Sequence, residues 1–95
     1  MKLSRHETVV QAKGNLVSNM NGETVMMSIE SGKYYNLGDI GGRIWSLIEA
    51  PTNIEALVGT LTNEYDVSVA DCEAEVIAFL ENLAKEQLIV VHQEA

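Results

Sequence analysis

The chain has 95 residues, 46% of them apolar, with 14 acidic against 6 basic side chains for a formal charge of −8. That is enough for one domain, residues 1–95, burying roughly two thirds of its unfolded surface, and too acidic for a protein that grips nucleic acid through phosphates. The lone Cys72 excludes an internal disulfide, no apolar run is long enough to cross a bilayer, and residues 1–6 lack the apolar core of an export signal, so a reducing cytoplasm is the expected setting.

The first 22 residues are irregular in pattern. Thr8 to Ala12 reads as a strand, and Asn15 to Met20 is a further candidate ending at an Asn21-Gly22 turn. Thr24 to Glu30 alternates, with Val25, Met27 and Ile29 on one face. Ser31-Gly32 then fits a tight loop into a strand over Lys33 to Leu37, with Tyr35 and Leu37 toward the core and Tyr34 and Asn36 on the other side.

After this strand the period changes to about 3.6. Asp39 is the expected N-cap of a first helix with the stripe Ile40, Ile44, Leu47 and Ile48. Gly41-Gly42 weakens its first turn or permits a close contact, Trp45 packs toward the sheet, and Pro51 ends the helix. Thr52-Asn53-Ile54-Glu55 reads as a capping box with Thr52 at the cap. It opens a second helix with the stripe Ile54, Leu57, Val58, Leu61 and Tyr65, broken at Asp66-Val67. Ser68 caps a third and longer helix, reaching about Glu86, with Val69, Val76, Leu80, Leu83 and Ala84 inward. Leu88 to Val91 closes with a short strand, and His92 to Ala95 is a frayed tail. The fold class is α+β: three N-terminal strands, three helices and a short C-terminal strand, the outline of a winged helix-turn-helix.

Catalytic chemistry is hard to find. His6 and His92 sit near opposite ends, without partners at metal-ligand spacing. No CxxC, HExxH, phosphate loop or nucleophile elbow occurs, and Gly38-x-x-Gly41-Gly42 reads as a helix start with a close contact. Cys72 reads as a small apolar residue. Asp71, Glu73 and Glu75 suit the positive end of a helix dipole. An acyl carrier role lacks its serine at Gly38-Asp39-Ile40. The expectation is therefore no enzyme, no cofactor and no metal.

Lys33-Tyr34-Tyr35-Asn36-Leu37, followed by Ile44-Trp45-x-Leu47-Ile48, resembles the aromatic strand and Ile-Trp helix of PqqD-like proteins. Thr52 with Ala56-Leu57, Glu64-Tyr65-Asp66-Val67, and Val76-x-x-Phe79-Leu80-x-x-Leu83 leading to Leu88-Ile89 resemble the rest of that family's pattern. The resemblance runs from about residue 23 to residue 91, and the ordered set carries it. It implies a non-catalytic recognition element that binds the leader of a ribosomally made, modified peptide by adding it as a strand beside the third helix. The subgroup it most resembles comprises the stand-alone proteins of lasso-peptide clusters, which hand the precursor to a leader peptidase (a transglutaminase-like cysteine protease) and an ATP-dependent cyclase. PqqD itself, a peptide chaperone working with a radical SAM enzyme in pyrroloquinoline quinone synthesis, is the alternative.

The residues make peptide capture reasonable in their own right. An exposed strand edge offers unpaired N–H and C=O groups. The expected edge is Lys33, Tyr34, Tyr35, Asn36 and Leu37, with Cys72, Glu75, Val76, Phe79 and Leu83 of the third helix as its shoulder. Glu75 there would attract Lys or Arg of the peptide. A DNA-binding regulator is disfavoured, since the third helix bears Asp71, Glu73, Glu75, Glu81 and Glu86 against Lys85 alone. The expected state is a monomer without nucleic-acid or membrane partners, a strand-exchanged dimer being the competing use of the edge.

Overall fold

The computed structural model describes residues 2–92. Strands β1 (Thr8–Gln11), β2 (Asn15–Met20), β3 (Glu23–Ser28) and β4 (Tyr34–Leu37) precede helix α1 (Gly38–Leu47). A two-residue strand β5 (Thr52–Asn53), helices α2 (Ile54–Glu64) and α3 (Val69–Lys85), and strand β6 (Ile89–His92) follow. The α+β, winged-helix-like outline holds, with four strands rather than three before the first helix and β5 added. The extra N-terminal strand is Asn15–Met20. His92 lies in β6 rather than in a tail, and residues 93–95 of the expected tail lie outside the described residues.

Two antiparallel sheets frame the helices. One has the order β5-β1-β6 and closes the chain ends together, Thr8 opposite both Asn53 and His92. The other has the order β2-β3-β4 and leaves β2 and β4 at its margins. Asn21 and Gly22 both have positive φ (55° and 83°), the backbone of a two-residue hairpin turn that matches strand twist.

One buried cluster joins the layers: Val9 and Met26 from the sheets, Ile44, Trp45 and Ile48 from the α1 region, Ile54, Leu57 and Leu61 from α2, and Val76, Leu80 and Leu83 from α3. Burial of each large side chain here is worth about 1.5–3 kcal/mol relative to leaving it in water. Trp45 is in this cluster, and its carbonyl accepts from Gln11 Nε2 at 2.7 Å.

Several local expectations give way to tertiary contacts. In β3 the inward face is Met26 and Ser28, whereas Val25, Met27 and Ile29 turn the other way and Ile29 is exposed. The loop between β3 and β4 spans residues 29–33, longer than a two-residue turn, with the Ser28 N–H donating to the Lys33 carbonyl at 3.0 Å and the Gly32 N–H to the Ser28 carbonyl at 2.8 Å. Asp39 does not cap α1. The chain turns at Gly38 with φ +71°, a left-handed conformation that favours glycine, and Asn36 Oδ1 accepts the Gly38 N–H instead. At α2 the cap is Asn53, whose Oδ1 accepts from Glu55 and Ala56 N–H, while Thr52 Oγ1 is spent on the Leu47 and Ala50 carbonyls. Ser68 does cap α3, accepting from Asp71 N–H at 3.2 Å. Ile40 and Val69 belong to no core stripe, with 45% and 62% of their surface exposed.

Candidate functional site

β4 is bonded to β3 alone, and no strand among the described residues pairs with its other side. The register decides which groups look outward. Ser28 donates to Lys33, and Met26 lies opposite Tyr35. In an antiparallel ladder bonded and non-bonded pairs alternate, so Tyr35 spends its backbone on β3. The N–H and C=O of Tyr34 and Asn36 therefore face the open margin.

The strand's side chains divide in the same way. Tyr35 and Leu37 are half-buried against the core, while Tyr34 is 73% exposed. The Asn36 side chain is occupied, its Nδ2 donating to Glu23 Oε2 at 2.8 Å and its Oδ1 held by Gly38. Lys33 lies just before the strand and pairs with Glu86 at 3.7 Å. Tyr35 Oη also donates to Glu86 Oε1, at 2.9 Å, across to the end of α3. Burial first, and then the Glu86 carboxylate, push the Tyr35 phenol above its ordinary range, so it stays a donor.

Beyond Leu37 the surface dips into a cavity of about 240 Å³. Its α3 wall is Cys72, Glu75, Val76 and Phe79. Its opposite wall is Leu37, Ile40, Gly41 and Ile44, and Leu61, Tyr65 and Val67 close the end. Gly41 allows this shape: a methyl there would stand 3.0 Å from two Phe79 ring carbons. Glu75 is the sole charged residue of the lining, and it is exposed at the rim. Burial, with a smaller push from Glu75, raises the Cys72 thiol above its usual range, which suits an apolar wall and not a nucleophile.

Leu37, Cys72, Glu75, Val76 and Phe79 thus meet around one cavity, beside the margin formed by Tyr34 and Asn36. Leu83 does not join them; it is only 4% exposed and lies in the core cluster. Sequence reasoning missed the α1 wall and the Tyr65–Val67 turn. The adjacent glycines Gly41-Gly42 were the one visible sign that something packs close to that helix. Among the described residues no group of three or more His, Cys, Asp or Glu side chains is placed to hold a metal, and no helix is long and apolar enough to cross a membrane.

The family described as coenzyme PQQ synthesis protein D (PqqD) matches residues 23–89. Among solved structures, TbiB1 in complex with the TbiA(beta) leader peptide is 29% identical, with a TM-score of 0.76 over 84% of this chain and 93% of that one. A lasso peptide synthetase B1 complexed with its leader peptide shares the fold at 20% identity, with a TM-score of 0.69 over 86% of this chain and 96% of that one. No curated protein matches the chain in sequence.

Proposed function

The chain belongs to the PqqD family, and on that footing we propose that it is a non-catalytic recognition protein for the leader of a ribosomally made peptide, most simply a lasso-peptide precursor. The observation that carries the reading is the unpaired β4 margin lying beside an apolar cavity under α3. A leader strand would bond to the outward groups of Tyr34 and Asn36, and one of its alternate side chains would drop between Leu37 and Phe79. An aromatic or proline side chain suits that cavity, and a neighbouring Lys or Arg would meet Glu75. A strand of eight to twelve residues anchored this way should bind with about −8 kcal/mol, near micromolar.

The similarity to TbiB1, which spans 93% of that chain and whose structure holds the TbiA(beta) leader peptide, supports the same class of ligand here. In this reading the bound leader is presented in the cytoplasm to a transglutaminase-like peptidase, with an ATP-dependent cyclase acting afterwards. The family's description keeps a second reading open, in which the peptide is the precursor of pyrroloquinoline quinone and the partner is a radical SAM enzyme. The genes beside this one separate the two.

The test is a titration of the ¹⁵N-labelled protein with a synthetic leader from the adjacent precursor gene. Shifts should concentrate at Tyr34–Leu37 and along Cys72–Phe79. Phe79→Ala should weaken binding by about 2 kcal/mol, some thirtyfold, as an anchor-pocket residue does, and Cys72→Arg should abolish it, with far-UV circular dichroism unchanged for Phe79→Ala. Shifts confined to β2 or to the β5-β1-β6 sheet would refute the site.

A further inference from the structure

The space between β4 and α3, the channel a leader strand would occupy in the proposed reading, has two unlike ends. At the Leu37 end it opens into the apolar cavity. At the Tyr35 end it is bridged: Tyr35 Oη donates to Glu86 Oε1 at 2.9 Å, with Lys33 Nζ 3.7 Å from the same oxygen. Among the described residues no other hydrogen bond joins β4 to α3. The bridging residues stand well apart from the anchor cavity, since Phe79 and Glu86 are two helical turns apart, about 10 Å.

We propose that the Tyr35–Glu86 hydrogen bond is a strut that sets the separation of the β4 margin from α3, making both residues positioning residues for the leader. The proposal rests on the leader-recognition reading and adds to it what holds the channel ready. A strand can bond to Tyr34 and Asn36 and reach the cavity at once only if the margin and the helix keep one spacing. β4 has four residues and is bonded on one side only. The contacts around the Leu37 end are apolar and non-directional, and they tolerate sliding. The Tyr35 bond is directional and part-buried. Without it the channel samples other widths, and the apparent affinity falls with the fraction of molecules in the competent spacing. The Lys33 contact adds little, because 66% of that side chain is exposed.

Two probes serve: a fluorescein-labelled synthetic leader from the adjacent precursor gene, and the TbiA(beta) leader. Anisotropy gives the affinity and calorimetry the melting temperature for the wild type, Tyr35→Phe, Glu86→Ala, their double mutant and Glu86→Gln. The two single changes should each weaken binding about three- to tenfold, the range of one net hydrogen bond. The double mutant should be no weaker than either single. Glu86→Gln keeps an oxygen that accepts from the phenol, so it should retain most of the affinity that Glu86→Ala loses.

A lowered melting temperature with unchanged affinity in Tyr35→Phe and Glu86→Ala would make the bond merely structural and overturn the strut. Fully additive losses would overturn it as well. If Tyr35→Phe does not fold, the comparison of Glu86→Ala with Glu86→Gln decides alone. If the wild type binds neither probe, the recognition reading fails and the strut falls with it, an outcome visible before any variant is measured.

Discussion

β2 and β4 are the two margins of one sheet, and by length β2 is the better landing place, with six residues against four. It carries no charge and leaves Leu16, Val17 and Met20 exposed. Even the cleft beside it is larger, about 450 Å³ against 240 Å³. The lining decides otherwise. The β2 cleft is walled by Asn19, Thr24, Asp39, Arg43 and Ser46 as well as by Val17 and Trp45. Arg43 is already engaged there, Nε and Nη2 donating to both oxygens of Glu64 at 2.9 and 2.6 Å. The β4 cavity is smaller and apolar, with one carboxylate on its rim. An open edge supplies hydrogen bonds to any peptide. In the proposed reading the neighbouring cavity makes it selective, because displacing water from an apolar pocket is favourable while a cleft lined by polar side chains offers little such gain.

Proline substitutions break this comparison most sharply. Tyr34→Pro removes an N–H that points to the open margin, so the fold should persist while leader affinity drops at least about tenfold, the worth of a lost backbone hydrogen bond and the ring's clash with the incoming strand. The matched change on the other margin is Val17→Pro. The turn closes Met20 against Glu23, so alternation points the Val17 N–H outward as well. Val17→Pro should leave leader affinity at the wild-type value. Tyr35→Pro deletes a bond to β3 and should lower stability as well as binding. Isothermal titration on the three variants reads all of this. Equal losses from Tyr34→Pro and Val17→Pro would mean that the two margins are not functionally distinct.

A smaller effect separates the adjacent glycines of α1. Gly41 faces the cavity, and a methyl there presses on the Phe79 ring. Gly42 faces β3, and a methyl there overlaps Thr24. Gly41→Ala should therefore weaken leader binding several-fold with a modest stability change, as the ring swings into the space meant for the ligand. Gly42→Ala should instead cost about 1–3 kcal/mol of stability through overpacking, with affinity in the folded fraction preserved. Urea titration and anisotropy distinguish the two. If both variants lose stability and neither loses affinity, Phe79 is a core residue and not a wall of the site.

These contrasts show where the sequence is legible. The inward faces of α2 and, beyond Val69, of α3 follow from their spacing, and Ser68 caps α3 because nothing competes for its hydroxyl. Thr52 was a sound capping signal by its neighbours, yet β5 pairs it with Val9, turns its hydroxyl to Leu47 and Ala50, and leaves the cap to Asn53. In β3 both faces are apolar, Val25 and Met27 on one and Met26 on the other, so alternation could not say which side is the core. The partner strand decides, since Met26 lies opposite Tyr35. The strand margin and the α3 wall were readable from Lys33–Leu37 and from the Cys72, Val76, Phe79 spacing. The far wall, Ile40 to Ile44 with Tyr65 and Val67, was not, because two segments distant from each other in sequence converge on it.

The smallest expected effect concerns the ion pair that occupies the β2 side. The Arg43 guanidinium holds the Glu64 carboxyl below the usual carboxylate range. A carboxylate whose pKa is depressed by folding contributes stability that is present above its unfolded value and fades as pH falls through its folded one. The wild type should therefore lose slightly more stability than Glu64→Gln between neutral pH and the acid side of the carboxylate range, as read by the urea midpoint. Both partners are partly exposed, at 41% and 33%, so solvent keeps the difference small. Leader affinity at neutral pH should be the same in both proteins, because Glu64 lines neither the channel nor the β4 cavity. If Glu64→Gln instead weakens the leader, the polar cleft takes part in recognition, and the distinction between the two margins rests on too narrow a view of the ligand.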